Sequence, residues 1–322
     1  MIIVTGGAGF IGSAFVWRLN QEGISDIIIV DTLKTSEKWR NLVTLDYDNY
    51  LHKDDFLDMV MDNSLPKGVE AIVHMGACSA TTELDSDYLM ENNYRYTQLL
   101  ADWAIKKNVR FIYASSAATY GAGHQGFDDS HDILPTLRPI NRYGYSKHFF
   151  DLSALRHGMI DHCVGLKFFN VFGPNEYHKG DMRSVICKAH REIYETGKIK
   201  LFKSHRSEYN DGEQKRDFIY IKDVVEAMWQ LLGQRKINGI FNLGTGRARS
   251  WNDLAYSLFS AIGREPNIEY FDMPPGLQNQ YQYFTEASMT KLTQVLPTLK
   301  FRSLEDTVRE YVEDYLSIGR GL

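Results

Sequence analysis

The first dozen residues constrain this chain more than any other stretch. Residues 1–5 are an apolar run, and a glycine-rich segment, Gly6–Gly12, follows it directly. After the first glycines, Ile11, Phe15 and Leu19 recur with the spacing of one helix face. This pattern predicts a buried strand, a tight turn and a helix whose first N–H groups are free to bind an anion.

Three glycines in this turn have the spacing of a dinucleotide-binding site. Gly6 permits the sharp turn, Gly9 lets the backbone approach a pyrophosphate, and Gly12 lets the helix pack closely on the strand. The next apolar run ends at Asp31, where a carboxylate that binds the adenosine ribose is expected. The alternative is a turn without a ligand, which would not require glycines that cost conformational entropy on folding.

The polar stretch after Asp31 bears on which dinucleotide is bound. Asp31 alone favours the free ribose of NAD, because its carboxylate accepts hydrogen bonds from the hydroxyls. Lys34, Lys38 and Arg40 follow where the 2′-phosphate of NADP would lie, and Lys53 is within reach of the same place. The sequence carries both signals, so we expect a site that binds NADP, with NAD also possible.

Composition limits the remaining classes of function. The chain has 322 residues, of which 43% are hydrophobic, so one large or two associated domains with an ample core are expected. A net charge of −5 argues against nonspecific binding to nucleic acid. No run of about 18 apolar residues predicts a membrane span, and a chain that begins in a strand leaves no room for a signal peptide. Cys78, Cys163 and Cys187 are unclustered, which predicts neither a disulfide framework nor a metal site and fits a reducing cytosol.

Apolar runs alternate with helical segments through the first half of the chain. This order predicts an α/β fold with a doubly wound parallel sheet. We expect a dinucleotide-binding domain at 1–170, to which about 216–246 returns, and a smaller, interleaved substrate domain at 171–322. The first six strands are predicted at 1–5, 26–31, 45–50, 70–74, 109–114 and 161–169.

A tyrosine and a lysine one helical turn apart are the candidate catalytic pair. Tyr143 and Lys147 lie in a helix predicted to begin near Asn141, so they share one face. A free tyrosine has a pKa near ~10, and a nearby ammonium favours the phenolate, which can take a proton from a substrate hydroxyl. Ser116 ends a predicted strand and can share that hydroxyl. The alternatives are an exposed Tyr–Lys pair and a serine that only caps the strand.

Together the glycine turn, Ser116 and the Tyr143–Lys147 pair resemble the extended short-chain dehydrogenase/reductase family of nucleotide-sugar enzymes, over the whole chain. The 4,6-dehydratases of that family carry an Asp-Glu pair after the serine, whereas this chain has Ala117 and Ala118 there. The resemblance therefore implies an epimerase or a simple dehydrogenase. The runs that resemble one epimerase branch are 6–12, 76–83, 92–94, 114–121, 143–147, 169–174, 178–180 and 216–218.

That branch inverts C6″ of ADP-D-glycero-D-manno-heptose by transient oxidation with bound NADP, for lipopolysaccharide inner-core synthesis. The resemblance implies a homo-oligomer, a pentamer, and the composition leads us to expect a cytoplasmic protein without nucleic-acid or membrane partners. It gives Lys179 the role of a second acid/base, and the alternative for Lys179 is a phosphate-pairing or surface lysine. The alternative functions are a UDP-hexose 4-epimerase or nucleotide-sugar reductase and, more remotely, a non-catalytic dinucleotide sensor.

The resemblance also implies the two sets of binding residues. Arg216 has the strongest physical reason among them, because a planar guanidinium suits a diphosphate. The cofactor contacts would be Gly6, Gly9, Phe10, Ile11, Gly12, Asp31, Thr32, Lys38, Lys53, Met75, Gly76, Ala77, Cys78, Ser79, Asn92, Lys147 and Val171. The substrate contacts would be Ser116, Asn170, Asp181, Lys188, Phe202, Lys203, Ser204, His205, Arg216 and Tyr281.

Overall fold

The strands form three separate sheets. A computed structural model describes residues 1–278 and 281–322 of the chain, and within these residues there are twelve strands. In chain order they are β1 (Ile2–Thr5), β2 (Ile27–Asp31), β3 (Asn49–His52), β4 (Ala71–His74), β5 (Arg110–Ser116), β6 (Cys163–Phe168), β7 (Asn170–Phe172), β8 (Ile199–Phe202), β9 (Lys215–Tyr220), β10 (Gly239–Leu243), β11 (Ala248–Ser250) and β12 (Ile268–Phe271).

The central sheet has seven parallel strands in the order β10-β6-β5-β4-β1-β2-β3. This confirms the predicted doubly wound parallel sheet. The strand order reverses between β1 and β4, and in such sheets the ligand crevice opens at the carboxyl ends of the strands at that point. β10 returns to this sheet from late in the chain, whereas β9 pairs with β7 and β11 in a small sheet, and β8 pairs with β12. The segment at about 216–246, which we predicted to return to the first domain, thus contributes β10 to the central sheet and β9 to the small sheet.

The prediction of the third strand at 45–50 is wrong by several residues. Leu45 lies in a turn, where its N–H donates to the carbonyl of Leu42, and the paired strand begins only at Asn49. Leu45, at the end of that turn, and Tyr47, in the irregular segment after it, are partly buried and pack against the core. Partly buried side chains outside the strand therefore gave residues 45–50 the apolar pattern that is typical of a strand.

Helices cover both faces of the central sheet. A π-helical segment, Met90–Arg95, joins two of them into one continuous helix. None of the helices in the described ranges is long and apolar enough to cross a membrane. In chain order the helices are α1 (Phe10–Gln21), α2 (Lys53–Met61), α3 (Ser86–Leu89), α4 (Tyr96–Lys106), α5 (Arg142–Arg156), α6 (Val185–Thr196), α7 (Ile221–Gly233), α8 (Trp251–Ile262), α9 (Pro275–Gln278), α10 (Thr290–Val295) and α11 (Leu304–Tyr311).

The turn between β1 and α1 leaves no space for side chains at Gly6, Gly7 and Gly12, and the contacts are closest at Gly6 and Gly12. Gly6 has a φ of +64°, and a Cβ added there would lie 2.6 Å from the backbone nitrogen of Gly76, in the turn that follows β4. A Cβ on Gly12 would lie 2.1 Å from the carbonyl oxygen of Gly6. The two turns at the switch point are therefore in direct backbone contact, which requires glycine.

We expect Gly12→Ala to lose about 1–3 kcal/mol of unfolding free energy, because the added methyl group must displace backbone. It should also lose cofactor affinity, since the turn and the first turn of α1 would separate. Urea unfolding and a cofactor titration measure the two effects. Gly233→Ala is the matched control, because nothing lies within 4 Å of a Cβ built at that helical position. Equal stability of the two variants would contradict the close-packing argument.

Candidate active site

A cavity of about 690 Å³ opens at the carboxyl ends of the central strands. A smaller cavity of about 280 Å³ adjoins it and shares Gly6, Asp31, Lys38, Gly76 and Ala77 with it. The smaller one contains the predicted cofactor residues Thr32, Lys53 and Asn92. The larger one is lined by the predicted residues Gly6, Gly9, Phe10, Ile11, Gly12, Asp31, Lys38, Met75, Gly76, Ala77, Cys78, Ser79, Ser116, Tyr143, Lys147, Asn170, Val171 and Lys179.

Asp31 is fixed by the chain around it. Its carboxylate accepts hydrogen bonds from the N–H of Ala8 at 2.9 Å and of Thr32 at 2.7 Å. Lys38 forms an ion pair with the same carboxylate at 2.6 Å. Asp31 therefore joins the glycine turn to the end of β2, and its negative charge is already balanced by a lysine that lines both cavities.

Asn93 connects the turn after β4 to the helix that carries the Tyr–Lys pair. Its side chain accepts from the N–H of Cys78 at 2.8 Å and donates to the Cys78 carbonyl at 2.9 Å. It also donates to the hydroxyl of Ser146 at 3.1 Å. The two adjacent asparagines in a predicted helix were the only sequence signal of this connection. Asn92 faces the smaller cavity, where it accepts a hydrogen bond from Lys53 at 3.2 Å.

Tyr143 and Ser116 are neighbours in the lining of the larger cavity. α5 begins one residue before Tyr143, and its cap Asn141 accepts from the N–H of Gly144 at 2.7 Å. Burial raises the pKa of Tyr143, and the nearby Ser116 hydroxyl opposes this shift in part. Ser116 also accepts from the N–H of Ala118 at 3.1 Å, so a turn of the chain fixes its hydroxyl. Without further positive charge, the phenol stays protonated at neutral pH.

Lys147 is a buried ammonium without a partner among residues 1–278 and 281–322. Its side chain is 2% exposed, and its Nζ makes no hydrogen bond within those residues. Burial lowers the pKa of Lys147 to about 8, while the Asp151 carboxylate opposes that shift. An orphaned buried donor beside a glycine turn fits the ribose hydroxyls of a dinucleotide, so the residues present fit an NAD(P) cofactor.

Lys179 enters the same cavity from the turn after β7. Its Nζ lies 5.3 Å from the centre of the Phe10 ring, at the start of α1. Burial lowers the pKa of Lys179, and the nearby Glu176 opposes this shift. Glu176 is itself held by the Ser184 hydroxyl at 2.7 Å and the Tyr311 hydroxyl at 3.1 Å. These bonds fix the turn. The Lys179 that it carries loses its proton more readily than a lysine in water does.

Arg216 is buried between aromatic rings. Its guanidinium lies 4.9 Å from the centre of the Tyr281 ring and 5.9 Å from that of Trp251. The Trp251 indole N–H donates to the Tyr281 hydroxyl at 2.9 Å, and Trp251 also lines the larger cavity. Sequence reasoning missed Trp251, because a tryptophan at the start of an amphipathic helix resembles core packing.

The other predicted substrate residues lie outside the larger cavity, apart from Ser116 and Asn170. Asp181 and Lys188 are exposed, and the Lys188 ammonium donates to the Asp181 carbonyl at 3.1 Å. Lys203 pairs with Asp272 at 3.2 Å. The backbone N–H of His205 donates to the Tyr283 hydroxyl at 2.9 Å, and this bond fixes the loop after β8. Phe202, Lys203, Ser204, His205 and Arg216 do not line the cavity, and Tyr281 lines a neighbouring one.

We expect Lys147→Met to be more stable than the parent chain when no cofactor is bound. Below about pH 8 the lysine is charged in both the folded and the unfolded chain, so the full cost of burying it is present. That cost decreases as the pH rises towards the unfolded value of 10.5. Urea unfolding at pH 7 should therefore show a gain of up to about 3 kcal/mol, which shrinks towards pH 10.

Lys236→Met, at an exposed position, is the control, and its effect should not vary with pH in this way. A parent chain that is more stable than Lys147→Met at pH 7 would contradict the assignment of an unpaired buried charge.

Residues 2–244 match the model of the NAD dependent epimerase/dehydratase family. A protein of Nitratidesulfovibrio vulgaris named ADP-L-glycero-D-manno-heptose-6-epimerase is 58% identical over 98% of each chain. A Fusobacterium nucleatum protein of the same name is 47% identical over 98% of each chain. The crystal structure of the Helicobacter pylori protein of that name has a TM-score of 0.82 and 27% identity, over 97% of this chain and 95% of that one. This chain is a member of the NAD dependent epimerase/dehydratase family.

Proposed function

We propose that this chain is a nucleotide-sugar epimerase that inverts C6″ of ADP-D-glycero-D-manno-heptose, giving ADP-L-glycero-D-manno-heptose. Relatives at 58% and 47% identity are named for this activity, which supports the choice of substrate. Ala117 and Ala118 support epimerisation over dehydration, because neither side chain can protonate a leaving hydroxyl or remove a proton.

The observation that carries this proposal is the pair of proton-transferring groups on two elements of one cavity. Tyr143 comes from α5 and Lys179 from the turn after β7, and both line the larger cavity. Inversion of a carbon requires a proton acceptor for the hydroxyl of each epimer, whereas a nicotinamide held in one orientation would exchange hydride on one face only. Two bases allow the keto intermediate to turn about a single bond and be reduced on its other face.

The glycine turn, Asp31 and Lys147 would hold NAD(P), which when bound would supply the oxidation and the re-reduction of C6″. Tyr143, as a phenolate, takes the proton of the C6″ hydroxyl, and Ser116 donates a hydrogen bond to that oxygen. The Lys147 ammonium stabilises the phenolate. After the intermediate turns, the Lys179 ammonium gives its proton to the newly formed alkoxide. In the reverse direction Lys179 is the base, which its lowered pKa favours.

The substrate diphosphate would bind at Arg216. Its guanidinium lies against the Trp251 and Tyr281 rings and donates to the Lys215 carbonyl at 2.9 Å, and the described residues give it no carboxylate partner, so its charge is available to an anion. We further propose that 1–170 with β10 binds the cofactor, and that most of 171–322 binds the sugar nucleotide. A cytoplasmic homo-oligomer, a pentamer, that serves lipopolysaccharide inner-core synthesis remains our prediction from the family resemblance.

The cofactor of this site would be NADP, with NAD also accepted. Lys38 supports this choice, because it balances the charge of Asp31 and lines the cavity in which a 2′-phosphate would lie. The N–H groups of Ala8 and Thr32 hold the carboxylate as well. Asp31 is therefore less able to repel a phosphate than an unpaired carboxylate would be.

We expect Tyr143→Phe and Lys179→Met each to lower the rate of epimerisation by at least about 100-fold, in line with the loss of a general base. Cofactor should remain bound in both. The measurement is turnover of ADP-D-glycero-D-manno-heptose, followed by separation of the two epimers. Lys198→Met is the control, since that lysine pairs with Glu269 outside the cavity.

An unchanged rate in Lys179→Met would contradict the two-base mechanism while leaving the substrate assignment intact. Turnover of UDP-galactose without turnover of the ADP-heptose would instead favour a UDP-hexose 4-epimerase.

We expect Lys38→Ala to weaken the binding of NADP by about tenfold and to change the binding of NAD little, because only NADP offers a 2′-phosphate to the ammonium. Fluorescence titration of cofactor-stripped protein with each reduced cofactor measures this difference. Lys198→Ala, again an ion-paired lysine outside the cavity, should bind both cofactors as the parent chain does. Equal losses for NADP and NAD would contradict a phosphate-binding role for Lys38.

A further inference from the structure

A fully buried ion pair lies behind the proposed catalytic residues, outside the cavity that they line. Asp151 is on α5, one helical turn after Lys147 and two turns after Tyr143. Its carboxylate accepts a hydrogen bond from the ammonium of Lys167, on β6, at 2.6 Å. Both side chains are 0% exposed. Neither the proposed mechanism nor cofactor binding uses this pair.

The pair connects α5 to Ser116 by two routes. On the first, Asp151 accepts from the hydroxyl of Ser115 at 2.7 Å, in the residue just before Ser116 on β5. On the second, Lys167 donates to the hydroxyl of Thr119 at 2.6 Å, and Thr119 donates to the Ser116 carbonyl at 2.8 Å. The serine and the Tyr–Lys pair lie on different elements, and these bonds hold those elements together.

We propose that Asp151 and Lys167 are positioning residues of the reaction, which fix Ser116 against Tyr143 and Lys147 and cancel each other's charge beside them. The readout by turnover depends on the proposed function, but the geometry does not. A buried charge whose partner has been removed acts strongly on its neighbours, because the interior screens it weakly.

The sign of that action follows from the charges. The Asp151 carboxylate raises the pKa of Lys147 and of Tyr143. Loss of its charge, with Lys167 left uncompensated, should therefore move the titration of both groups to lower pH. Loss of the Lys167 charge should move both to higher pH. The other titratable groups on which the Asp151 charge acts are Tyr113, Tyr120, His131, His148 and Cys163. His74 interacts with Lys147, and Cys78 with both Lys147 and Tyr143.

The test compares Asp151→Asn with Lys167→Gln in the full chain with cofactor bound. The pH profile of kcat should move by about one unit, to lower pH in the first and to higher pH in the second. The maximal kcat should fall by about 10- to 100-fold in both, since small displacements of reacting groups are costly. Asp223→Asn is the control, because it breaks the ion pair with Arg302 outside the cavity and should leave the profile unmoved.

Profiles that stay in place, or that move in the same direction in both variants, would overturn the proposal, since simple damage to the fold has no preferred sign. A second readout needs no substrate: the near-ultraviolet tyrosinate absorbance that is present in each chain and lost in its Tyr143→Phe counterpart. Its midpoint should shift in the same opposite directions. If the parent chain does not turn over the ADP-heptose but the two variants show these shifts, only the proposed function is disproved.

A single variant that fails to fold is replaced by the double variant Asp151→Asn/Lys167→Gln, which buries no net charge. It should show a lowered kcat with the profile and the tyrosinate midpoint at their parental pH. A shifted midpoint in the double variant, or a parental kcat, would overturn the proposal.

Discussion

The site depends on a contact between two turns of backbone. Gly6 follows β1 and Gly76 follows β4, and a Cβ on Gly6 would lie 2.6 Å from the Gly76 nitrogen. These strands are neighbours where the sheet order reverses, so the contact brings both turns to one crevice. The Thr5 hydroxyl fixes the approach, because it accepts the Gly76 N–H at 3.2 Å. Asn93 connects the second turn to α5, because its side chain bonds to the Cys78 backbone and to the Ser146 hydroxyl.

Two buried lysines, Lys147 and Lys167, differ in whether their ammonium has a partner, and this difference distinguishes a binding residue from a structural one. Both lysines are buried and both are near Asp151, but only Lys167 has its ammonium satisfied by Asp151 and Thr119. Lys147 carries an unsatisfied charge within the described chain, and such a charge reduces stability unless a ligand compensates it. Such a loss of stability is retained where the charge serves function. The unpaired Lys147 therefore indicates the site better than the paired Lys167 does.

Local patterns predicted the parts of the molecule that are local. The glycine turn, the Tyr143–Lys147 face and the parallel sheet all follow from spacing along the chain, and the structure has the turn, the shared face and the sheet. The Asp151–Lys167 pair could not be predicted, because a polar residue in a helix and another in a strand each resemble a solvated position. They meet only in the folded chain, because β6 places Lys167 opposite Ser115 on β5 and α5 packs against β5. The small sheet escaped notice because β7 and β11 have three residues each.

The same reasoning explains why the substrate half is harder to read than the cofactor half. Arg216 on β9, Trp251 at the start of α8 and Tyr281 are far apart in the sequence, and each alone resembles core or surface. Their stacking places a cation that the described residues do not neutralise beside the cavity. The cofactor class is therefore encoded in one contiguous motif, whereas substrate choice depends on contacts that only the folded chain assembles.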